Sequence, residues 1–140
     1  MFTHILVPLD LTARNLRAVE VARQIAGPRG ARVTLLHVIQ RLEGIPVREL
    51  RDFYARLQKR AQTRLRFAAQ RLARDRIEAS QMVFIGSPVR DIVRHAAANR
   101  VDLIVMSSHA VRQPASSRDG FGTTSYRVAL LCPCPILLVK

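Results

Sequence analysis

The sequence predicts an α/β fold: a mainly parallel five-stranded sheet with helices on both faces. Three observations carry this. Short apolar runs alternate with stretches of helical periodicity in the order β-α-β-α-β-α-β-α-β. Several of the runs are continuously apolar, as in strands covered on both faces. Breakers such as Gly27-Pro28, Gly86-Ser87-Pro88 and Cys132-Pro133-Cys134-Pro135 separate the elements.

The first strand spans residues 2–9, with its compact core in HILVPL, and ends at Asp10. Pro8 cannot donate to a ladder, so it belongs near the strand end. Thr12 is placed to cap a helix in which Leu16, Val19, Ala22, Ile25 and Ala26 recur at helical spacing. Gly27-Pro28 stops that helix and Arg29-Gly30 completes the turn into the second strand, 31–39. A strand, a helix and a strand in such a span make a right-handed βαβ unit.

After a loop at 40–46, a long amphipathic helix runs from Val47 to about Arg76. Val47, Leu50, Tyr54, Leu57, Ala61, Leu65, Ala68 and Leu72 form its apolar stripe, which Phe53 and Phe67 widen. Arginines populate the other faces. A basic amphipathic helix can lie on a membrane or bind a partner, but more often is a surface helix of an α/β domain, the reading favoured here.

The third strand is 81–85. Ser87 and Pro88 then read as N-cap and first-turn proline of a helix that turns Val89, Ile92, Val93 and Ala96 inward and ends near Asn99. Val101 and Leu103 to Met106, interrupted only by Asp102, form the fourth strand, 101–106. A polar loop follows, then a helix from about Thr123 to Leu131 and a fifth strand, 136–139.

Composition narrows the function classes. The 140 residues fit one domain, 1–140, with a full hydrophobic core. No segment approaches the ~20 apolar residues of a membrane-spanning helix. The start, MFTHILVPLD, reads as a strand rather than a signal peptide, so a cytoplasmic protein is the expectation. Two closely spaced cysteines are no disulfide framework; they read as small structural filler rather than a metal or redox pair. His4, His37, His95 and His109 lack metal-ligand spacing, and His37, inside a strand, reads as packed. The formal charge of +13 comes almost wholly from arginine, with lysine only at Lys59 and Lys140. Such a charge could attract nucleic acid, an anionic membrane or acidic partners. With cations spread widely and aromatics scarce, the favoured reading is a solvated basic surface.

The candidate site lies past the fourth strand, where Ser107, Ser108, His109 and Ala110 precede the polar loop and GFGTTS, 120–125. Ligands of open parallel sheets bind past the carboxyl ends of strands. Gly122, Thr123 and Thr124 at a helix start suit a phosphate, whose charge meets free N–H groups and the helix dipole. Equally, the hydroxyls could simply cap the helix. Asp10 is a strand-end carboxylate able to accept from an amine or hydroxyl, or a turn residue.

The opening HILVPLD, the middle GSPVRDIVRHAAANRVDLIVMSSHA and the close GTTSYRVALLCPCPILLVK together resemble the universal stress protein family, single-domain type. The resemblance implies a Rossmann-like sheet of order 3-2-1-4-5, usually in a homodimer. It also implies that some members bind ATP at the strand ends, with magnesium, through an aspartate after the first strand and a valine ending the second. Those positions look like Asp10, just beyond Pro8, and Val38. The phosphate loop of such members is similar to glycine, two residues, glycine, nine residues, then glycine and a hydroxyl residue. Here Ser107 and Ala110 stand for the first two glycines, His109 lies between them, and Gly122-Thr123 is the final pair, with Thr124 and Ser125 following. The segment between Ala110 and Gly122 is two residues longer than the family's. If the loop needs positive φ at Ala110, alanine costs on the order of 1 kcal/mol there. Gly120-Phe121-Gly122 offers displaced flexibility, and Arg112 and Arg118 offer charge.

No nucleophile, base and orienting acid form a catalytic pattern. The expectation is a non-enzymatic dimeric module with a weak adenine-nucleotide site for ATP, ADP or AMP. A member that has lost the nucleotide is the alternative, and a slow ATPase comes third. By the family order Ile136, Leu137, Leu138 and Val139 form an edge strand, which is expected to pair with its symmetry mate.

Overall fold

β1 (His4–Pro8) is buried along its whole length. The computed structural model describes residues 2–108 and 123–140 and places β1 at the centre of a five-stranded sheet. β2 (Arg32–Gln40) and β3 (Ala79–Gly86) lie on one side, β4 (Leu103–Ser107) and β5 (Ile136–Val139) on the other, in the order β3-β2-β1-β4-β5. Every neighbouring pair is parallel. Parallel neighbours need long crossovers. These contain α1 (Asn15–Ala26), α2 (Arg51–Ala73), α3 (Pro88–Ala98) and α4 (Thr124–Leu131).

Strand side chains alternate between faces, and here both faces are covered. Ile5, Val7, Leu35 and Val105 pack with Val19 and Ala22 of α1 and Leu65 and Leu72 of α2. Leu6, Leu36, Ile104 and Met106 pack with Val89, Ile92 and Ala96 of α3 and Val128 of α4. This two-sided burial is why the central strands read as unbroken apolar runs.

Several local expectations are corrected. Thr12 does not cap α1: its N–H and hydroxyl both donate to Asp10 Oδ1, at 2.9 and 2.6 Å, and the helix starts at Asn15. The turn around Asp10 takes the hydroxyl that the helix end would have used. Ser87 is the N-cap position of α3 with Pro88 in its first turn, as expected, but the Ser87 side chain makes no cap bond; instead Asp91 Oδ2 accepts from Ser87 N at 2.8 Å. That carboxylate comes so close to Gly86 that a Cβ there would lie 2.0 Å from it. Val47–Leu50 is a 3-10 turn, and α2 proper is Arg51–Ala73. Phe53 and Phe67 do not widen its buried stripe: they are 37% and 52% exposed. The buried stripe is Tyr54, Ala61, Leu65, Ala68, Ala69 and Leu72, which leaves both phenylalanines round the helix from it.

A polar network closes the amino-terminal edge of the sheet. Asp102, just before β4, accepts from Thr3 N, Thr3 Oγ1 and His4 N. Burial alone would raise its carboxyl pKa; the bonds from Thr3 and His4 outweigh that and hold it below the usual value. The His4 ring bonds Asn99 O at 3.1 Å and Thr34 Oγ1 at 2.8 Å. A carbonyl only accepts, so the proton sits on Nδ1 and Thr34 donates to Nε2. His95, on α3, is also buried. Burial lowers the pKa of both imidazoles; at His4 the bond to Asn99 O opposes it, and at His95 the nearby His4 reinforces it.

Two outcomes follow for stability. A histidine whose pKa is lowered by folding takes up its proton more readily when unfolded. Stability should therefore be level above about pH 7 and fall as pH drops below about 6.5, the ordinary histidine value, towards the lower folded values. Urea midpoints at pH 8, 7, 6 and 5 test this, and His95→Gln should flatten the decline. Leu65→Ala, at a fully buried position where α2 meets the sheet, should cost about 2–5 kcal/mol, measured by urea unfolding at pH 7.5.

Candidate functional site

In the order β3-β2-β1-β4-β5 the chain turns back between β1 and β4, and the crevice past their carboxyl ends is where open sheets bind ligands. A cavity of about 400 Å³ opens there. Its floor is Pro8 and Leu9 after β1, Leu36 and Val38 of β2, and Met106 of β4. Pro88 and Ile92 of α3 line it on one helix, and Thr123, Thr124 and Ser125 line it at the start of α4. Asp10, Asn15, His37 and Ser107 add polar groups. The mixture of apolar walls with a few convergent polar groups fits a small-molecule site.

Of the residues singled out from sequence, the structure brings Pro8, Asp10, Val38, Ser107, Thr123, Thr124 and Ser125 to this one cavity. His109, Ala110 and Gly122, with Arg112, Arg118, Gly120 and Phe121, lie outside the described residues. Asp10 is exposed and held in its turn by Thr12. Both of those bonds fall on Oδ1, and among the described residues Oδ2 accepts none. Thr123 is the N-cap of α4, its hydroxyl accepting from Tyr126 N at 3.3 Å. The cap reading of this hydroxyl is thus realised, while the helix end still points its dipole at the cavity.

Two polar residues, Asn15 and His37, organise the cavity without having been singled out as ligands. Asn15 is 5% exposed, yet polar, at the first position of α1. Its Oδ1 accepts from Leu11 N at 2.8 Å and its Nδ2 donates to Ser107 Oγ at 3.1 Å, which donates onward to Arg14 O. The amide thus ties the loop after β1 to the end of β4 across the crevice. Leu11 adopts a left-handed φ of 68° in that loop, a conformation that the Asn15 bond helps to hold. The sequence signal was present: Asn15 continues the inward spacing of Ala18, Val19 and Ala22. His37 is not packed away as expected: it is half-buried at the cavity, and its Nδ1 donates to Leu9 O at 2.7 Å. That bond, with Leu9 N to Leu36 O at 2.8 Å, fixes the backbone leading into Asp10. Among the described residues no group of three metal-ligating side chains occurs. Cys132 and Cys134 are free and half-buried, their sulfurs 3.3 Å apart. Burial and the neighbouring thiol push Cys134 up to about 12, so it carries little thiolate near neutral pH.

Comparison with known proteins agrees with this architecture. A universal stress protein YxiE from Bacillus subtilis is 26% identical over 150 residues, covering all of both chains. The structure of the hypothetical protein MJ0577 superposes with a TM-score of 0.82 at 24% identity, over 100% of this chain and 96% of that one. Two further similar folds were solved with nucleotides. One is a universal stress protein in complex with cAMP, with TM-score 0.73 and 22% identity over 99% of this chain and 97% of that one. The other is the universal stress protein from Archaeoglobus fulgidus in complex with dAMP, with TM-score 0.71 and 20% identity over 99% and 98%. The model of the universal stress protein family matches residues 1–140. With its sheet order, its crevice and this match, the chain belongs to the universal stress protein family.

Proposed function

We propose that this protein is one universal stress protein domain, 1–140, that acts in the cytoplasm as a non-enzymatic dimer and binds an adenine nucleotide weakly between β1, β2 and the start of α4. The cavity carries the reading. Asp10 and the apolar Val38 line it, a carboxylate and a side chain suited to a sugar or base, and Ser107, Thr123, Thr124 and Ser125 line it too, the last three at a helix start suited to a phosphate. The cAMP and dAMP complexes of similar folds support a unit of adenine, pentose and phosphate as the common ligand part. ATP, ADP and AMP all contain it, and magnesium would accompany the di- and triphosphates. Thr123 already serves as a cap, so a ligand must share or displace its bond, which agrees with weak binding, whereas Asp10 offers Oδ2.

Calorimetry with ATP, ADP and AMP, each with and without magnesium, is expected to give saturable binding at one site per chain, with the nucleotide recovered unhydrolysed. Asp10→Ala should weaken it about tenfold or more, the usual scale for a hydrogen bond to a charged group. Silence from all three nucleotides would favour the alternative, a family member that works only as an interaction module.

The dimer reading rests on β5. It lies at the end of the strand order, so one edge of its backbone is not taken by β4. Leu137 and Leu138 are 39% and 38% exposed, and Leu130 and Leu131 beside the strand are more so. The helix before β5 therefore does not cover it. Antiparallel pairing of Ile136–Val139 with its copy would satisfy the open backbone groups and bury these leucines. Sedimentation at low micromolar concentration should show a dimer that becomes a monomer when Leu137 and Leu138 are both replaced by lysine.

A further inference from the structure

The basic charge of this chain is concentrated where the fold sets two aromatic rings in water. α2 carries seven cations, six of them arginine, against the single carboxylate Asp52. Among the described residues, no ion pair within 4.0 Å includes any of them. The arrangement is periodic. Phe53, Arg56, Arg60, Arg64, Phe67, Arg71 and Arg74 follow one another at steps of three or four, the spacing that puts residues on one stripe of a helix. The stripe runs about 30 Å along α2 and its C-cap, at roughly 1.5 Å per residue. All of it is exposed except Arg71, which is half-buried. Phe67 lies among arginines at i−7, i−3, i+4 and i+7, and the Arg71 guanidinium stands over its ring, 5.4 Å from the centroid.

An apolar ring costs free energy in water, and clustered cations repel one another, so this stripe is unfavourable for an isolated chain. A partner that offers flat π-faces and regularly spaced negative charge relieves both. We propose that the outer face of α2 is a docking surface for single-stranded nucleic acid, with the arginines on the phosphates and Phe67 and Phe53 as stacking platforms. Guanidinium groups bind phosphate oxygens in bidentate fashion and stack on bases, and their combination with aromatic rings is the usual equipment for single strands.

The fold argues against the other polyanions. The apolar face of α2, Tyr54 to Leu72, is spent on the sheet, so the helix has nothing to insert into a bilayer. An acidic protein would need a contiguous apolar centre. Here the two rings are separated by fourteen residues with arginines between them, leaving no apolar patch. The surface is also separate from the nucleotide cavity: no residue of α2 lines that cavity.

The experiment is fluorescence anisotropy of a labelled twenty-nucleotide oligo-dT with the full chain. With about four phosphate contacts, affinity should fall on the order of fiftyfold between 50 and 200 mM salt. The triple change Arg60→Gln, Arg64→Gln, Arg71→Gln should weaken binding tenfold or more and reduce the salt slope by about 2. The triple Arg17→Gln, Arg29→Gln, Arg94→Gln removes the same charge from exposed positions elsewhere and should change affinity less than threefold. Phe67→Ala should weaken binding about fivefold or more without altering the slope. Circular dichroism checks that each variant is folded. Equal losses from the two triples, or no loss from Phe67→Ala, would overturn the proposal in favour of net charge alone. Competition by polyglutamate or anionic phosphatidylglycerol vesicles as strong as by unlabelled oligonucleotide would overturn it too.

Discussion

Burial of β1 on both faces is the constraint on which the rest depends. Ile5, Leu6 and Val7 are each fully inaccessible, and they belong to opposite cores. A central strand with no solvated face needs helices above and below, and its parallel neighbours need crossovers to supply them. The direction of those crossovers creates the crevice between β1 and β4. The same strand anchors the polar network at its start, through His4, and the cavity at its end, through Pro8 and Leu9. Core and site are therefore two consequences of one buried segment.

The architecture was legible because burial writes itself into composition. Continuous apolar runs marked the central strands, and breakers marked the helix ends, so element order emerged from the residues and strand order from the family resemblance. What was missed has a common cause: polar and aromatic side chains have more than one satisfactory use. Thr12 could cap a helix or close a turn on Asp10, and only the backbone decides. Phe53 and Phe67 look like core residues by type, but each sits about a third of a turn beyond the buried stripe. Asn15 shares the inward spacing of its helix, but its partners, Leu11 N and Ser107 Oγ, are set by the fold. The cavity lining was legible at Pro8, Asp10, Val38, Ser107 and 123–125, where strand ends and a helix start fix positions coarsely. It was not legible at His37, whose role depends on meeting Leu9 O across two strands.

The cavity is polar but internally satisfied. Among the described residues no buried side-chain nitrogen or oxygen lacks a partner. Asn15, Ser107 and Thr123 all hold protein groups that a ligand would have to share. Binding in such a place exchanges hydrogen bonds rather than adding them, and the net gain of an exchange is small. For the proposed nucleotide, most of the affinity would then come from apolar contact with Leu36, Val38, Ile92 and Met106 and from the dipole of α4.

The distribution of charge has a similar logic. At physiological salt, charges more than about 8 Å apart are largely screened, so a net +13 matters locally rather than globally. Along the α2 stripe, Arg56, Arg60 and Arg64 follow at about 6 Å along the axis and Arg71 and Arg74 at about 4.5 Å, inside that length, and among the described residues none of them has a carboxylate within ion-pair distance. Elsewhere the chain does compensate: Arg23 bonds both Glu20 and Asp75, bridging α1 to the turn after α2, and Arg90 meets Asp91. Among the described residues the chain thus pairs some arginines directly with carboxylates and leaves those of the α2 stripe without a direct ion pair. Repulsion there costs stability, and the cost falls on the helix whose buried side, through Leu65 and Leu72, is among the best packed in the molecule. A helix held that firmly from below can carry an unfavourable outer surface, and an unfavourable surface is one that a complementary partner improves by covering.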